Sequence, residues 1–219
     1  MSKLCVSIII CISMLFAISC SKGDETVIKG KISNIDYPYL LATYLSSDTL
    51  VIDTIPVNNK GGFSYNVNID TLTTFSLYMN NYESAAIVFA DKGQKLKVNG
   101  DALLPDLIRV NGNEINDDLT TFKSLNQDLL KQRGQLIINL NKDRVSDTAN
   151  VNSLSINDDV ANLNLLNHEL TLKAEEFIKE NPTKISSLIL ISNFFMNSDS
   201  PQALERVLGY MQGDVKQSR

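Results

Sequence analysis

The three cysteines of this 219-residue chain, Cys5, Cys11 and Cys20, are the first candidates for chemistry. Cys5 and Cys11 lie inside an almost wholly apolar run, Leu4 to Ile18, that follows a short positive start ending at Lys3. A comfortable membrane span takes roughly 20 apolar residues, and this run is shorter. Ala17-Ile18-Ser19 then leads into Cys20 and the polar stretch Ser21 to Glu25. That layout reads as a signal peptide over residues 1–19, cleaved so that Cys20 becomes the N-terminus. Acyl chains on that cysteine would fix the protein to a membrane surface, as in bacterial lipoproteins. A plain cleaved signal or an uncleaved anchor are the alternatives. Once residues 1–19 are gone, Cys20 is the last thiol and lipid occupies its sulfur. No disulfide, Cys-x-x-Cys redox pair or thiolate zinc site can then form.

Other reactive side chains are sparse. His168 is the only histidine; it falls mid-helix beside Glu169, with Asn164 and Leu172 on its face, and lacks the partners a catalytic base needs. Three acidic pairs stand out, Asp117-Asp118, Asp158-Asp159 and Glu175-Glu176. Neighbours on a helix point about 100° apart and do not converge as a dyad. The first two pairs fall in opening helical turns, where negative charge suits the macrodipole. No alternating carboxylates, phosphate-cradling glycine loop or nucleophile elbow appears, so no metal or cofactor is expected. Tyr37, Tyr39, Tyr44, Tyr65, Tyr78 and Tyr82 could stack on sugars, yet at strand spacing most should be core or cross-strand partners. Four Asp-Thr-aliphatic tripeptides, centred on Thr49, Thr54, Thr71 and Thr148, resemble the O-glycosylation acceptor of Bacteroidetes envelope proteins. The bland reading is that threonine and aliphatics are what strands contain. Without Lys3 the chain carries 19 basic against 25 acidic side chains. That balance, with no Lys/Arg cluster, argues against nucleic acid.

Two kinds of element must position these groups. From Thr26 to about Val110, short segments separated by turn residues read as strands: 27–32, 39–45, 49–57, 63–69, 75–79, 85–90, 96–98 and 107–110. Phe63, Tyr65, Val67 and Ile69 share one face at period two. Asn58 to Gly62, Asp91-Lys92-Gly93 and Asn99-Gly100-Asp101 read as turns. Eight strands at this spacing predict an antiparallel β-sandwich or open barrel over residues 26–110. Past Asn113, a predicted N-cap, the period becomes helical through Ile115, Leu119, Phe122, Leu125 and Leu129, weakening at Gly134 and resuming to Leu140. A polar loop is predicted over 141–157, then helices over 158–180 and 185–195, and one capped by Ser200-Pro201 and ended by Gly213. The fold expected is therefore α+β, with three or four helices in residues 111–219 after the lipidated tether 20–25 and the β domain.

The chain resembles the uncharacterised N-terminal domain of Bacteroidetes thioredoxin-like lipoproteins, relatives of the disulfide reductases that mature cytochromes. The resemblance rests on Val27-Ile28-Lys29-Gly30-Lys31-Ile32, Val51-Ile52-Asp53-Thr54, Gly61-Gly62-Phe63-Ser64 and Val98-Asn99-Gly100-Asp101. It continues through Val110-Asn111-Gly112-Asn113 and Asn181-Pro182-Thr183-Lys184-Ile185-Ser186-Ser187. In that family a thioredoxin domain with Trp-Cys-x-x-Cys follows the helices. This chain stops at Arg219, about where that domain would begin, and has no Trp. The family's redox residues have no positions here to be carried onto, so the resemblance implies fold and envelope location without the activity. The function expected is a non-catalytic, outer-membrane-anchored accessory module whose partner is a thioredoxin-like protein. The rival is a surface lipoprotein that binds glycan or peptide through the β domain. A hydrolase using scattered carboxylates ranks last, since no pair converges.

Overall fold

The computed structural model describes residues 24–80, 84–145, 153–196 and 200–216. Cys20 and Thr148 lie outside these residues. All eight expected strands form: β1 (Thr26–Ser33), β2 (Tyr39–Ser46), β3 (Thr49–Pro56), β4 (Gly62–Val67), β5 (Thr73–Met79), β6 (Ser84–Ala90), β7 (Lys95–Asp101) and β8 (Arg109–Asn111). They make two four-stranded sheets, ordered β4-β1-β7-β8 and β3-β2-β5-β6. Alternate residues from both sheets fill one core, including Ile28 and Ile32, Leu40 and Phe75, Val88 and Val98. The predicted face of Phe63, Val67 and Ile69 is buried there, with Tyr65 packed against it.

The pairings are antiparallel with one exception: β1 runs parallel to β7, Gly30 opposite Val98. That pairing also corrects a turn reading. Asn99-Gly100-Asp101 is the end of β7, where Gly100 faces Ile32 of β1 and lies so close to Ile108 that a Cβ would meet its Cγ1 at 2.6 Å. The glycine serves a close approach rather than a turn. The β2–β3 hairpin instead turns on Ser47 and Asp48, both with positive φ (47° and 64°), as a two-residue hairpin loop requires.

Five helices follow among the described residues: α1 (Glu114–Leu125), α2 (Gln127–Val145), α3 (Ser153–Glu180), α4 (Ile185–Phe194) and α5 (Pro201–Tyr210). The extra helix comes from a break at Asn126, not a weakening at Gly134. Asn126 leaves helical geometry (φ −110°, ψ 24°), and its side-chain amide donates to the Phe122 carbonyl at 2.9 Å, competing with the helical ladder. The predicted loop is shorter than 141–157, since α2 reaches Val145 and α3 begins at Ser153. Asp158-Asp159 therefore lies past the opening turn of α3. Ser200 caps α5 as expected, accepting from Ala203 N at 3.4 Å, but α5 ends at Tyr210 with Met211 as its C-cap, and Gly213 (φ 69°) starts a short 3-10 turn. Phe122, Ala174, Ile178, Leu190, Ile191 and Val207 form a second core between the helices.

Candidate functional site: a cleft between sheet and helices

A sandwich of two open sheets has two seams where edge strands leave backbone groups unpaired. One lies between β3 and β4, which the chain itself joins; the other, between β6 and β8, is sealed by α1. Asn113 caps α1 by accepting from Asn116 N at 3.0 Å, and its amide donates to Phe89 O on β6 at 2.8 Å. Asn116 imitates a missing strand: its Oδ1 accepts from Phe89 N (3.2 Å) and its Nδ2 donates to Phe89 O (2.6 Å). One turn on, Thr120 Oγ1 accepts from Val110 N (3.0 Å) and donates to Val110 O (2.6 Å) on β8. Lys123 Nζ then donates to Ile108 O at 2.7 Å. Positions 116, 120 and 123 share one helix face, so a polar stripe beside the apolar one carries the sealing contacts.

The same docking creates a cleft of about 680 Å³. Its floor is the outer face of β5 and β6, with Thr74, Ala85, Ile87 and Phe89. The strand 85–90 is apolar throughout because one face lies in the sandwich core and the other floors this cleft. Leu119 of α1, Leu130 of α2, Leu170 of α3 and Ile189 of α4 supply apolar walls. Charge gathers at one end, where Asp106, Lys123 and Arg133 line the space. Arg133 forms a short ion pair with Asp106, and its Nε donates to Asn167 Oδ1 at 2.7 Å. Burial pushes the Lys123 ammonium below the usual lysine range, and the Asp106 charge opposes that only in part. Lys123 has no ion-pair partner among the described residues.

Lys123, Arg133 and Asp106 went unremarked in the linear reading. The one local signal was Lys123, which follows Asn116 and Thr120 on a polar stripe beside the apolar face of α1; no pattern in the chain marked Asp106 or Arg133.

The residues singled out from sequence are dispersed. His168 is exposed on α3. Asp117 holds the β8–α1 turn through Asn111 Nδ2 (2.8 Å) and Gly112 N (3.2 Å), whereas Asp118 reaches α4, taking Lys184 Nζ at 2.8 Å and Ser186 Oγ at 3.0 Å. Glu175 is buried while Glu176 is exposed and paired with Lys173 at 2.9 Å. Thr49, Thr54 and Thr71 are all exposed. Tyr65 points into the sandwich and donates a short hydrogen bond to Asp53; burial, then that bond, raises its phenol far above the tyrosine range. Among the described residues no three His, Cys, Asp or Glu side chains gather to hold a metal, and no helix is long and apolar enough to cross a membrane.

Two further surfaces matter. Leu165 and Leu172, seven residues apart on one face of α3, are 67% and 46% exposed. At the loop end of the sandwich, Tyr37 stacks on Tyr39 with ring centroids 5.7 Å apart beside a groove of about 510 Å³ bordered by Asp36, Asn59 and Lys60.

No curated protein matches the chain. Residues 26–119 match the family model of a domain of unknown function, DUF4369. The match covers less than half of the chain, from the start of β1 into the second turn of α1, and includes the sealing residues Asn113 and Asn116. Residues 26–119 thus resemble an uncharacterised domain made of the sandwich and the beginning of the helix that seals it.

Proposed function

We propose that this chain is a non-catalytic binding module of the bacterial cell envelope, anchored to the outer membrane through acylated Cys20 and related to the N-terminal part of Bacteroidetes thioredoxin-like lipoproteins. The observation that carries the binding reading is the cleft. Apolar groups line both walls, its charges sit at one end, and the β domain and the helical layer build it jointly. Such a concave, mostly apolar site with a few placed polar groups is the usual form of a binding site. A thioredoxin-like protein partner docks on the neighbouring exposed face of α3, where Leu165 and Leu172 present apolar surface that the helical core leaves uncovered. Sedimentation velocity of the mature chain with thioredoxin-like proteins of the same envelope tests this. A complex that L165E/L172E weakens roughly tenfold or more is expected, as for loss of interface anchors. No complex with any of them, or thiol–disulfide or hydrolytic turnover well above a heat-treated control, overturns it.

The stacked Tyr37–Tyr39 pair beside the polar loop groove favours a second reading, a glycan-binding lipoprotein, because an exposed aromatic ledge fringed by amides and charges suits a sugar ring. Affinity electrophoresis in polysaccharide gels separates the two: retardation lost in Tyr37→Ala points to glycan.

A further inference from the structure

Lys123 presents an energetic puzzle. A half-buried ammonium without a carboxylate partner is costly unless other groups compensate it. Among the described residues its one hydrogen bond goes to a neutral carbonyl, Ile108 O at 2.7 Å, leaving two of its three N–H donors for other acceptors. Asp106 is the one carboxylate among the described residues that line the cleft, and Arg133 already holds it. The charged end of the cleft therefore carries one net positive charge, next to walls of Ile87, Phe89, Leu119 and Ile189. We propose that the cleft binds a fatty carboxylate, its head on Lys123 and its chain along the apolar floor of β6.

Charge and polarity select this class. A dianionic phosphate would bring two charges to one net cation. A peptide would bury a run of backbone amides that the walls could pair only in part, since Asn116 and Thr120 already serve Phe89 and Val110 and the other neutral polar side chains lining the cleft are Thr74, Ser192 and Asn193. A single carboxylate on a hydrocarbon has no polar group beyond its head. The inference rests on the cleft being the module's binding site, and it is independent of whether a protein partner docks on α3.

Binding of [1-13C]dodecanoate to the mature chain, below its micelle concentration, tests the idea through the carboxyl resonance and by calorimetry. Saturable binding is expected, with the carboxyl signal shifted on association. Lys123→Met should weaken it roughly tenfold or more, the range for a charged hydrogen bond, while Lys123→Arg keeps it. Uncharged dodecanol should bind wild type and Lys123→Met alike, a comparison that a purely structural lysine would not split from dodecanoate. Ile87 lies on the outer face of β6 at 43% exposure, so Ile87→Trp fills the cleft without entering the sandwich core. It should abolish binding and keep the fold by circular dichroism, which decides the matter even if Lys123→Met unfolds. Absence of saturable dodecanoate binding, equal affinity in a folded Lys123→Met, undiminished binding in Ile87→Trp, or preference for a peptide with a free Leu-Leu terminus would each overturn the proposal. Absence of dodecanoate binding by the wild-type chain, with its α3 partner complex intact, refutes this inference alone.

Discussion

At the scale of single residues, Glu175 shows how a buried charge is made tolerable. Arg206 grips it with two hydrogen bonds (3.0 and 2.9 Å), Tyr210 Oη donates at 3.0 Å, and Lys179 Nζ lies 3.2 Å away. These partners, Arg206 first, lower its pKa from 4.5 to about 2 against the opposing effect of burial. The folded carboxyl is the stronger acid, so its contribution is present above the unfolded pKa and fades as pH falls from 4.5 toward 2. Glu175→Gln should cost on the order of 2 kcal/mol at neutral pH, discounted because Arg206 and Lys179 are half exposed. Urea unfolding at pH 7, 4 and 2 should show the variant and wild type converging at the acid end; a constant difference would discount the linkage. Gly30 is the other decisive position. A Cβ there would lie 1.9 Å from the Val98 carbonyl oxygen across the parallel pair. Gly30→Ala should destabilise the sandwich by roughly 3 kcal/mol or more, read as a drop in melting temperature.

Among elements, α1 has an unusual division of labour. Its apolar side gives Phe122 to the helical core, where the ring meets Phe177 and Phe194 edge-on at 5.9 Å from each. Its polar stripe closes the β6/β8 seam. Asn116 is buried, so Asn116→Leu strands the Phe89 N–H away from water while Asn113 still holds Phe89 O, at a cost of roughly 1–3 kcal/mol. Thr120→Val removes a milder pair, for about 1–2 kcal/mol. Native-state hydrogen exchange should show the Phe89 and Val110 amides of wild type protected to the level of the sandwich core, with each variant releasing its own partner first. Uniform loss of protection across both sheets would mean that α1 does not act as a local seal.

For the molecule as a whole, the anchor and the surface modifications are the testable features. Cys20→Ser should abolish metabolic labelling with a fatty-acid probe; label retained by that variant rules out acylation at Cys20. The exposed Thr49 and Thr54 share β3, and Thr71 lies in the loop before β5. Intact-mass measurement of envelope-purified protein should show hexose-sized increments that fall as Thr49, Thr54, Thr71 and Thr148 are changed to alanine. An unmodified mass would leave these threonines as ordinary strand and loop residues.

What sequence alone determined here was periodic and local. Alternation over 63–69 and the helical spacing from Ile115 are properties of neighbouring residues, as are the caps at Asn113 and Ser200, so strands, helices and their order were legible. The export reading likewise uses only local features, Cys20 and the apolar run before it. Pairing was not legible. The Asn-Gly of β7 looks like a turn until β1 pairs parallel beside it, and β3 alternates two apolar rows whose inward member is chosen only by the opposite sheet. There Ile55 is buried and Asp53 meets Tyr65, while Leu50 and Ile52 face outward at 60% exposure. The cleft was equally hidden. Asp106, Lys123 and Arg133 lie far apart in the chain, and the charge imbalance among them arises only when α1 and α2 fold over the outer face of β6. Burial and electrostatic balance depend on all neighbours at once, and tertiary structure alone supplies those neighbours.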